Sequence, residues 1–216
     1  AMTATSGPGI SLYSETIGLA IMGEVPLVIV DVQRLGPSSG AATTVAQGDI
    51  QFVRWGTAGG YPIIALAPST VAETYQLTAR AFDLAERFRC PVFLMTDKEL
   101  TMSLTTVDPD SLTLSRPRER VTASGGDPYR YEPADEVFPL HEYGRGEAVR
   151  FTGSTHDEQA FITKHFPTIG ALNRHLIAKI EDHRDEIELV DLDIDPGAKT
   201  LVLGYGITGG AVRTAV

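Results

Sequence analysis

The sequence predicts an α/β protein, a parallel sheet with helices on both faces. Three observations carry that prediction. Short apolar runs rich in β-branched residues recur at Pro26–Val32, Ile63–Ala67 and Pro91–Thr96, each bounded by turn residues as buried strands are. A helical pattern separates the second and third of these runs, so the chain alternates strand, helix, strand, the signature of parallel pairing through crossovers. Glycine- and serine-rich turns follow the strands, at the edge where open α/β sheets gather their ligands.

Taken in order, Thr3–Ser6 reads as a short strand. Gly7-Pro8-Gly9 turns the chain into a helix from about Ile10 to Gly23. Ile10, Tyr13, Ile17 and Ile21 share one face of it, and Leu12 and Leu19 fill the other, so it is expected to be buried. The strand Pro26–Val32 runs into the loop Arg34-Leu35-Gly36-Pro37-Ser38-Ser39-Gly40. Thr43–Trp55 has room for a short helix, and Gly56–Gly60 for a flexible turn. After the strand at Ile63–Ala67, Thr70-Val71-Ala72-Glu73 has the form of a capping box. The helix it starts places Val71, Tyr75, Thr78, Phe82 and Ala85 on one face. Pro91–Thr96 is the fourth strand.

The periodicity fails from about Asp108 to Thr155, where Pro, Gly, Asp and Arg dominate. Loops of that length are usually functional or partner-facing, and Tyr129, Tyr131, Phe138 and Tyr143 suggest that this one lies against something. A helix from about Ile169 to Glu186 carries Leu172, Leu176, Ile180 and Ile187. Thr200–Leu203 reads as a new strand. The expected organisation is an α/β domain at 1–107 lacking its N-terminal part, a segment at 108–196 packing on it or on a partner, and the truncated start of a second α/β domain at 197–216.

The 216 residues carry a net charge of −10, and no basic cluster stands out. That argues against nucleic acid, whose phosphates need a basic face. No apolar run approaches the ~20 residues of a membrane span. The single cysteine, Cys90, cannot close an internal disulfide or hold an iron–sulfur cluster by itself. It points to a reducing, cytoplasmic setting and reads as a buried structural thiol.

Three stretches carry candidate chemistry. Arg34 places a fixed positive charge where a strand ends, among hydroxyls, a place to grip a carboxylate or phosphate through two parallel hydrogen bonds. Ser6-Gly7-Pro8-Gly9 is a glycine-rich turn before a helix, where backbone amides can favour an anion, although a tight turn alone explains it. Gly204-Tyr205-Gly206-Ile207-Thr208-Gly209 matches G-x-G-x-x-G, which leaves a nicotinamide or flavin dinucleotide open as a ligand, although the deciding acid would lie beyond Val216. His156-Asp157-Glu158 reads as a solvated polar turn, because adjacent residues do not readily face one metal ion.

Thr3-Ala4-Thr5-Ser6-Gly7-Pro8-Gly9, then Val30-Asp31-Val32-Gln33-Arg34-Leu35-Gly36-Pro37-Ser38-Ser39-Gly40 with Gln47-Gly48-Asp49-Ile50, then Leu66-Ala67-Pro68 resemble, in this order and spacing, the alpha subunit of 2-oxoacid:ferredoxin oxidoreductases. The 2-oxoglutarate type is the most similar. The resemblance covers Ala1 to about Lys98 well and continues loosely through Thr152–Glu158. It implies the pyrimidine-binding domain of a thiamine diphosphate enzyme that decarboxylates a 2-oxoacid oxidatively, passing electrons to ferredoxin and the acyl group to coenzyme A. It also implies a partner beta subunit that holds the diphosphate and Mg2+, with iron–sulfur clusters on partner chains. Arg34 then matches the arginine that pairs with the substrate carboxylate, and Ser6, Gly7, Pro8 and Gly9 lie at the cofactor. The family's cofactor-activating glutamate is expected upstream of Thr3, so no catalytic residue is assigned here. Glu15, inside the first helix, reads as structural. A dinucleotide-dependent oxidoreductase and a non-catalytic scaffold subunit remain the alternatives.

Overall fold

The computed structural model describes residues 1–57, 60–114, 116 and 118–215. Ala58 and Gly59 of the expected Gly56–Gly60 turn therefore lie outside the described residues. Four strands, β1 (Met2–Thr5), β2 (Leu27–Gln33), β3 (Ile64–Leu66) and β4 (Pro91–Asp97), form one parallel sheet in the order β1-β2-β4-β3. The two central strands are apolar because each must cover both faces, and every residue of β4 is buried. Alternation divides their side chains between two cores. Val28, Val92 and Leu94 meet α3 (Val71–Phe88) through Ala81, Leu84, Ala85 and Phe88. Ile29, Phe93 and Met95 meet the opposite layer, built from Ile10, Ile17, Ile21 and Val53.

The expected first helix is two elements. Gly7–Tyr13 is a 3-10 helix, and α1 follows at Ser14–Met22. Proline at the second position and the turn back from β1 keep the first stretch tightly wound. Leu12 is 83% exposed, so this stretch is not apolar all round in its packing. The helix expected somewhere in Thr43–Trp55 is α2, Ile50–Trp55. In α3 the capping box forms in a shifted version: Thr70 accepts from the Glu73 amide, while the Glu73 carboxylate accepts from the amide of Ser69, one residue before the cap, at 2.6 Å. Its buried face is rotated from the one expected. Tyr75 is 58% exposed, because the short strand β3 gives the first turns of α3 little sheet to cover. An unexpected short helix, α4 (Lys98–Met102), leaves β4 through an Asp97 cap on the Leu100 amide.

The segment after α4 has little regular structure beyond the paired two-residue strands β5 (Thr122–Ala123) and β6 (Leu140–His141). Tyr129 and Tyr131 pack with Met22, Ala160, Leu172 and Leu176 in a third apolar cluster. The long helix of this part, α5 (Phe166–Glu181), ends five residues before Glu186. The short α6 (Arg184–Ile187) follows it. His156 corrects the expectation of a solvated turn. It is fully buried, with Nε2 3.1 Å from Met22 O and Nδ1 2.8 Å from the Tyr131 hydroxyl. Among the described residues no group of three or more His, Cys, Asp or Glu could hold a metal ion. No described helix is long and apolar enough to cross a membrane.

Thr200–Leu203 pairs with no strand among the described residues, and Leu201, Val202 and Leu203 are 64%, 57% and 83% exposed. The β-propensity read from that run is thus not used here, since a strand needs a partner edge. The helix after it is present as α7, Gly206–Ala215.

Candidate functional site

The register of β1 on β2 brings two of the candidate motifs together. Thr5 pairs with Asp31, so the Ser6–Gly9 turn leaves the sheet beside the end of β2, where Arg34 begins its loop. The Arg34 side chain then lies on the backbone of Gly7. Gly7 is buried at φ +55°, and a Cβ there would fall on Arg34 Nε and within 2.9 Å of Arg34 Cγ. Only glycine satisfies both the positive φ and the approach. Arg34 Nη2 donates to Ser39 O at 3.1 Å, while its Nε is buried without a protein partner. An unpartnered buried guanidinium nitrogen is costly, and a ligand anion would satisfy it.

The loop itself is tied down. The Leu35 amide bonds to Thr44 O at 2.9 Å and the Ala41 amide to Leu35 O at 3.1 Å. These bonds hold Ser38 and Ser39 beyond the guanidinium. In the other turn, the Gly9 amide bonds to Ser6 O at 3.2 Å and Pro8 has no N–H. A Cβ at Gly9 would strike Thr5 Oγ1. The turn therefore offers a small, closely fitting backbone wall rather than a row of free amides.

Asp31 and Asp49 lie inside the motif, and the sequence alone assigns neither a role. Asp31 pairs with Thr5 at the end of β1, and Asp49 stands at the N-terminus of α2 without a capping bond. Asp31 is fully buried, and neither of its oxygens has a partner. Burial and the neighbouring Asp49 push its carboxyl up to about 7. Asp49 is raised by burial, against which the backbone N–H groups of Arg34 and Gly7 and the charge of Arg34 favour its ionised form. The available signal was an acid inside an apolar strand run, Val30-Asp31-Val32, which has a cost unless something uses it.

The Gly204–Gly209 stretch also reaches this end of the sheet, but not as a nucleotide turn. Gln47 Nε2 donates to Tyr205 O at 3.0 Å, and Thr208 Oγ1 donates to Gln47 Oε1 at 2.7 Å. Gly206, at φ +57°, lies so close to Gln47 that a Cβ would come within 2.6 Å of Nε2. Gly206 lets this stretch dock on Gln47, and Gly209 and Gly210 lie against Ser69. The strand that a dinucleotide fingerprint needs before it is not formed.

Cys90 is buried, and burial first of all pushes its thiol up to about 12. This agrees with a structural role. Glu15 is exposed in the first turn of α1.

The fold and site together define an α/β domain of the thiamine diphosphate-enzyme type, with its candidate site at the carboxyl ends of adjacent parallel strands. The family described as pyruvate flavodoxin/ferredoxin oxidoreductase, thiamine diphosphate-binding, matches residues 1–173, and the chain belongs to that family. The 2-oxoglutarate synthase subunit KorA of Methanocaldococcus jannaschii is 40% identical over all of this chain and 58% of its own length. The 2-oxoglutarate oxidoreductase subunit KorA of Mycobacterium tuberculosis is 30% identical over 99% of this chain and 33% of its own. A solved 2-oxoglutarate:ferredoxin oxidoreductase from Magnetococcus marinus, with 2-oxoglutarate, coenzyme A and succinyl-CoA bound, superposes with a TM-score of 0.85 at 29% identity. It covers 99% of this chain and 38% of that one. The chain thus spans 58% of the length of the Methanocaldococcus relative.

Proposed function

We propose that this chain is the substrate-gripping part of the alpha subunit of a thiamine diphosphate-dependent 2-oxoacid:ferredoxin oxidoreductase acting on 2-oxoglutarate. The observation that carries the reading is Arg34 laid over Gly7 at the ends of β1 and β2, with Nε buried and unpartnered. Arg34 binds the carboxylate next to the keto group. A guanidinium held by Ser39 O on one side and by packing on the other loses little freedom on binding. It anchors the carboxylate until that group departs as carbon dioxide.

Ser6, Gly7, Pro8 and Gly9 are the cofactor-facing turn. The places that Cβ atoms of Gly7 and Gly9 would take are filled by Arg34 and by Thr5 Oγ1, so the glycines let Arg34 close on the turn, and its unpartnered Nε beside the turn fits a bound anion. Thiamine diphosphate supplies the nucleophilic carbon that decarboxylation of a 2-oxoacid needs. This chain's residues orient the substrate and exclude water. The diphosphate with Mg2+ belongs to a partner beta subunit and iron–sulfur clusters to partner chains, with coenzyme A as acyl acceptor and ferredoxin as electron acceptor. Residues 1–107 form the pyrimidine-binding domain, 108–196 the segment packed on it, and 197–216 the beginning of a second domain. The setting is cytoplasmic. Support comes from the family match, from relatives named for 2-oxoglutarate, and from the solved neighbour that holds 2-oxoglutarate and coenzyme A.

The test is viologen reduction by the purified assembly with 2-oxoglutarate, pyruvate and a branched-chain oxoacid, each with and without coenzyme A. Coenzyme A-dependent reduction with 2-oxoglutarate is expected. Arg34→Ala should lower kcat/KM by about 100-fold, the size of a lost charge-assisted contact of about 3 kcal/mol. Arg34→Lys should recover only part, because the bidentate geometry is gone. An unaffected Arg34→Ala enzyme would remove Arg34 from the site.

A further inference from the structure

Gln33 is the last residue of β2 and directly precedes Arg34. It is fully buried, so both ends of its side-chain amide need partners. Its Nε2 donates to Thr96 O, on the adjacent strand β4, at 3.4 Å. Its Oε1 accepts from the Tyr205 hydroxyl, also at 3.4 Å. The same hydroxyl lies 3.4 Å from Gln47 O. With one proton, it serves one of these two acceptors at a time. Tyr205 thus reaches from a turn 172 residues further along the chain to the strand end that carries Arg34.

Gln47 holds the backbone of the same turn. Its Nε2 donates to Tyr205 O at 3.0 Å, and its Oε1 accepts from Thr208 Oγ1 at 2.7 Å, so the amide is fixed at both ends. Gly206, at φ +57°, brings the turn close enough for both bonds. On its other side the chain around Gln47 is laid along the Arg34 loop. A Cβ at Gly48 would sit 3.5 Å from Arg34 O and 3.7 Å from Gly36 N, and the Leu35 amide donates to Thr44 O at 2.9 Å. The Arg34 loop is therefore held from two directions by contacts that converge on Tyr205, through Gln33 before it and through Thr44–Gly48 behind it. These bonds do not use the Arg34 guanidinium, whose Nη2 donates to Ser39 O. The turn steadies the loop and leaves the positive charge open to a substrate anion.

We propose that Tyr205 is a positioning residue for substrate binding: docked through Gln47, it braces the end of β2 and the Arg34 loop, so that the guanidinium stays over Gly7 and ready for the substrate carboxylate. Undocking of the turn then loosens the grip on substrate. The proposal rests on the reading of Arg34 given above. Two measurements keep the two apart. The first needs no substrate. Hydrogen exchange of the Leu35 amide, bonded to Thr44 O, is compared in the purified assembly between wild type and Tyr205→Phe, which keeps the ring and the backbone bonds and removes only the hydroxyl. Exchange should be about fivefold faster in the variant, the size of one lost neutral hydrogen bond. Unchanged exchange overturns the proposal.

The second is a double-mutant cycle on binding of glutarate, an unreactive dicarboxylate, with KM and kcat for 2-oxoglutarate alongside. Tyr205→Phe should weaken glutarate binding and raise KM about fivefold, with kcat changed less than about twofold, since the hydroxyl acts on the loop and not on the reacting atoms. In an Arg34→Ala background the same change should cost less than about twofold, because Tyr205 acts through Arg34. Equal losses in both backgrounds, or a fall in kcat with KM unchanged, overturn the proposal. Thr208→Val removes only the bond to Gln47 Oε1 and should move both readouts the same way by about twofold. It carries the same reversal criteria if Tyr205→Phe does not assemble. A wild-type assembly that neither binds glutarate nor turns over 2-oxoglutarate refutes the functional reading alone, and the exchange result then decides the bracing role.

Discussion

A methyl group on Gly7 would strike Arg34 Nε, and the backbone at Gly7 already sits at φ +55°. Gly7→Ala should therefore destabilise the protein by about 1–3 kcal/mol from the backbone alone, and should displace the guanidinium as well. Urea unfolding checks the first part, and KM for 2-oxoglutarate the second. Asp31 makes the complementary prediction. Its carboxyl, raised from the ordinary 3.8 to about 7 by burial, is neutral in the folded protein while the unfolded chain ionises it. Its contribution to stability is complete below about pH 4 and is lost as pH rises to about 7, after which the loss levels off. The full loss is roughly 4 kcal/mol at most at about 1.4 kcal/mol per pH unit. Asp31→Asn should accordingly be more stable than wild type at pH 8, and the gain should shrink by pH 5. A gain that does not vary between those pH values would show that Asp31 is ionised in the fold. The cysteine gives a simpler check. With its thiol buried and pushed up to about 12, Cys90 should resist alkylation in native protein at pH 8 and react only on unfolding.

At the scale of elements, the join between α5 and the end of α1 is ionic. Glu24, at φ +50°, is 1% exposed. It accepts from Lys179 Nζ at 2.9 Å, and its Oε2 lies 3.0 Å from His175 Nε2. Burial alone would raise the Glu24 carboxyl, but Lys179, His175 and Arg89 outweigh it and hold it well below the usual range. Lys179 also donates to Arg89 O at 3.3 Å. Lys179→Met leaves Glu24 as a buried charge with weakened compensation and should cost about 3–5 kcal/mol. Thermal unfolding measures it, and a loss below about 1 kcal/mol would mean that Glu24 is neutralised by other means. This cluster also shows the limit of pattern reading. Leu172, Leu176 and Ile180 mark the buried face of α5 by their spacing. His175 and Lys179 lie on that face too, but they are paired with Glu24, 151 and 155 residues away, which no periodicity reveals. Tyr75 errs the other way: its spacing fits the apolar face of α3, and only the brevity of β3 exposes it.

At the scale of the whole molecule, four parallel strands with helices on both faces follow from local rules, because apolar runs, a capping box and strand–helix alternation are all properties of neighbouring residues. The same holds for the motifs that mark the family, since glycine, proline and arginine at fixed spacings are visible before any fold is known. What the sequence by itself determined is therefore the fold class, the family and the two turns that border the candidate site. The tertiary structure alone decided that Arg34 rests on Gly7 and that Asp31 lies buried with neither oxygen partnered. It also decided that Gly204–Gly209 docks on Gln47 instead of following a paired strand, and that His156 is interior. Each of these depends on strand register and on contacts between residues far apart in the chain, and burial of a polar group is a property of its surroundings and not of its neighbours in sequence.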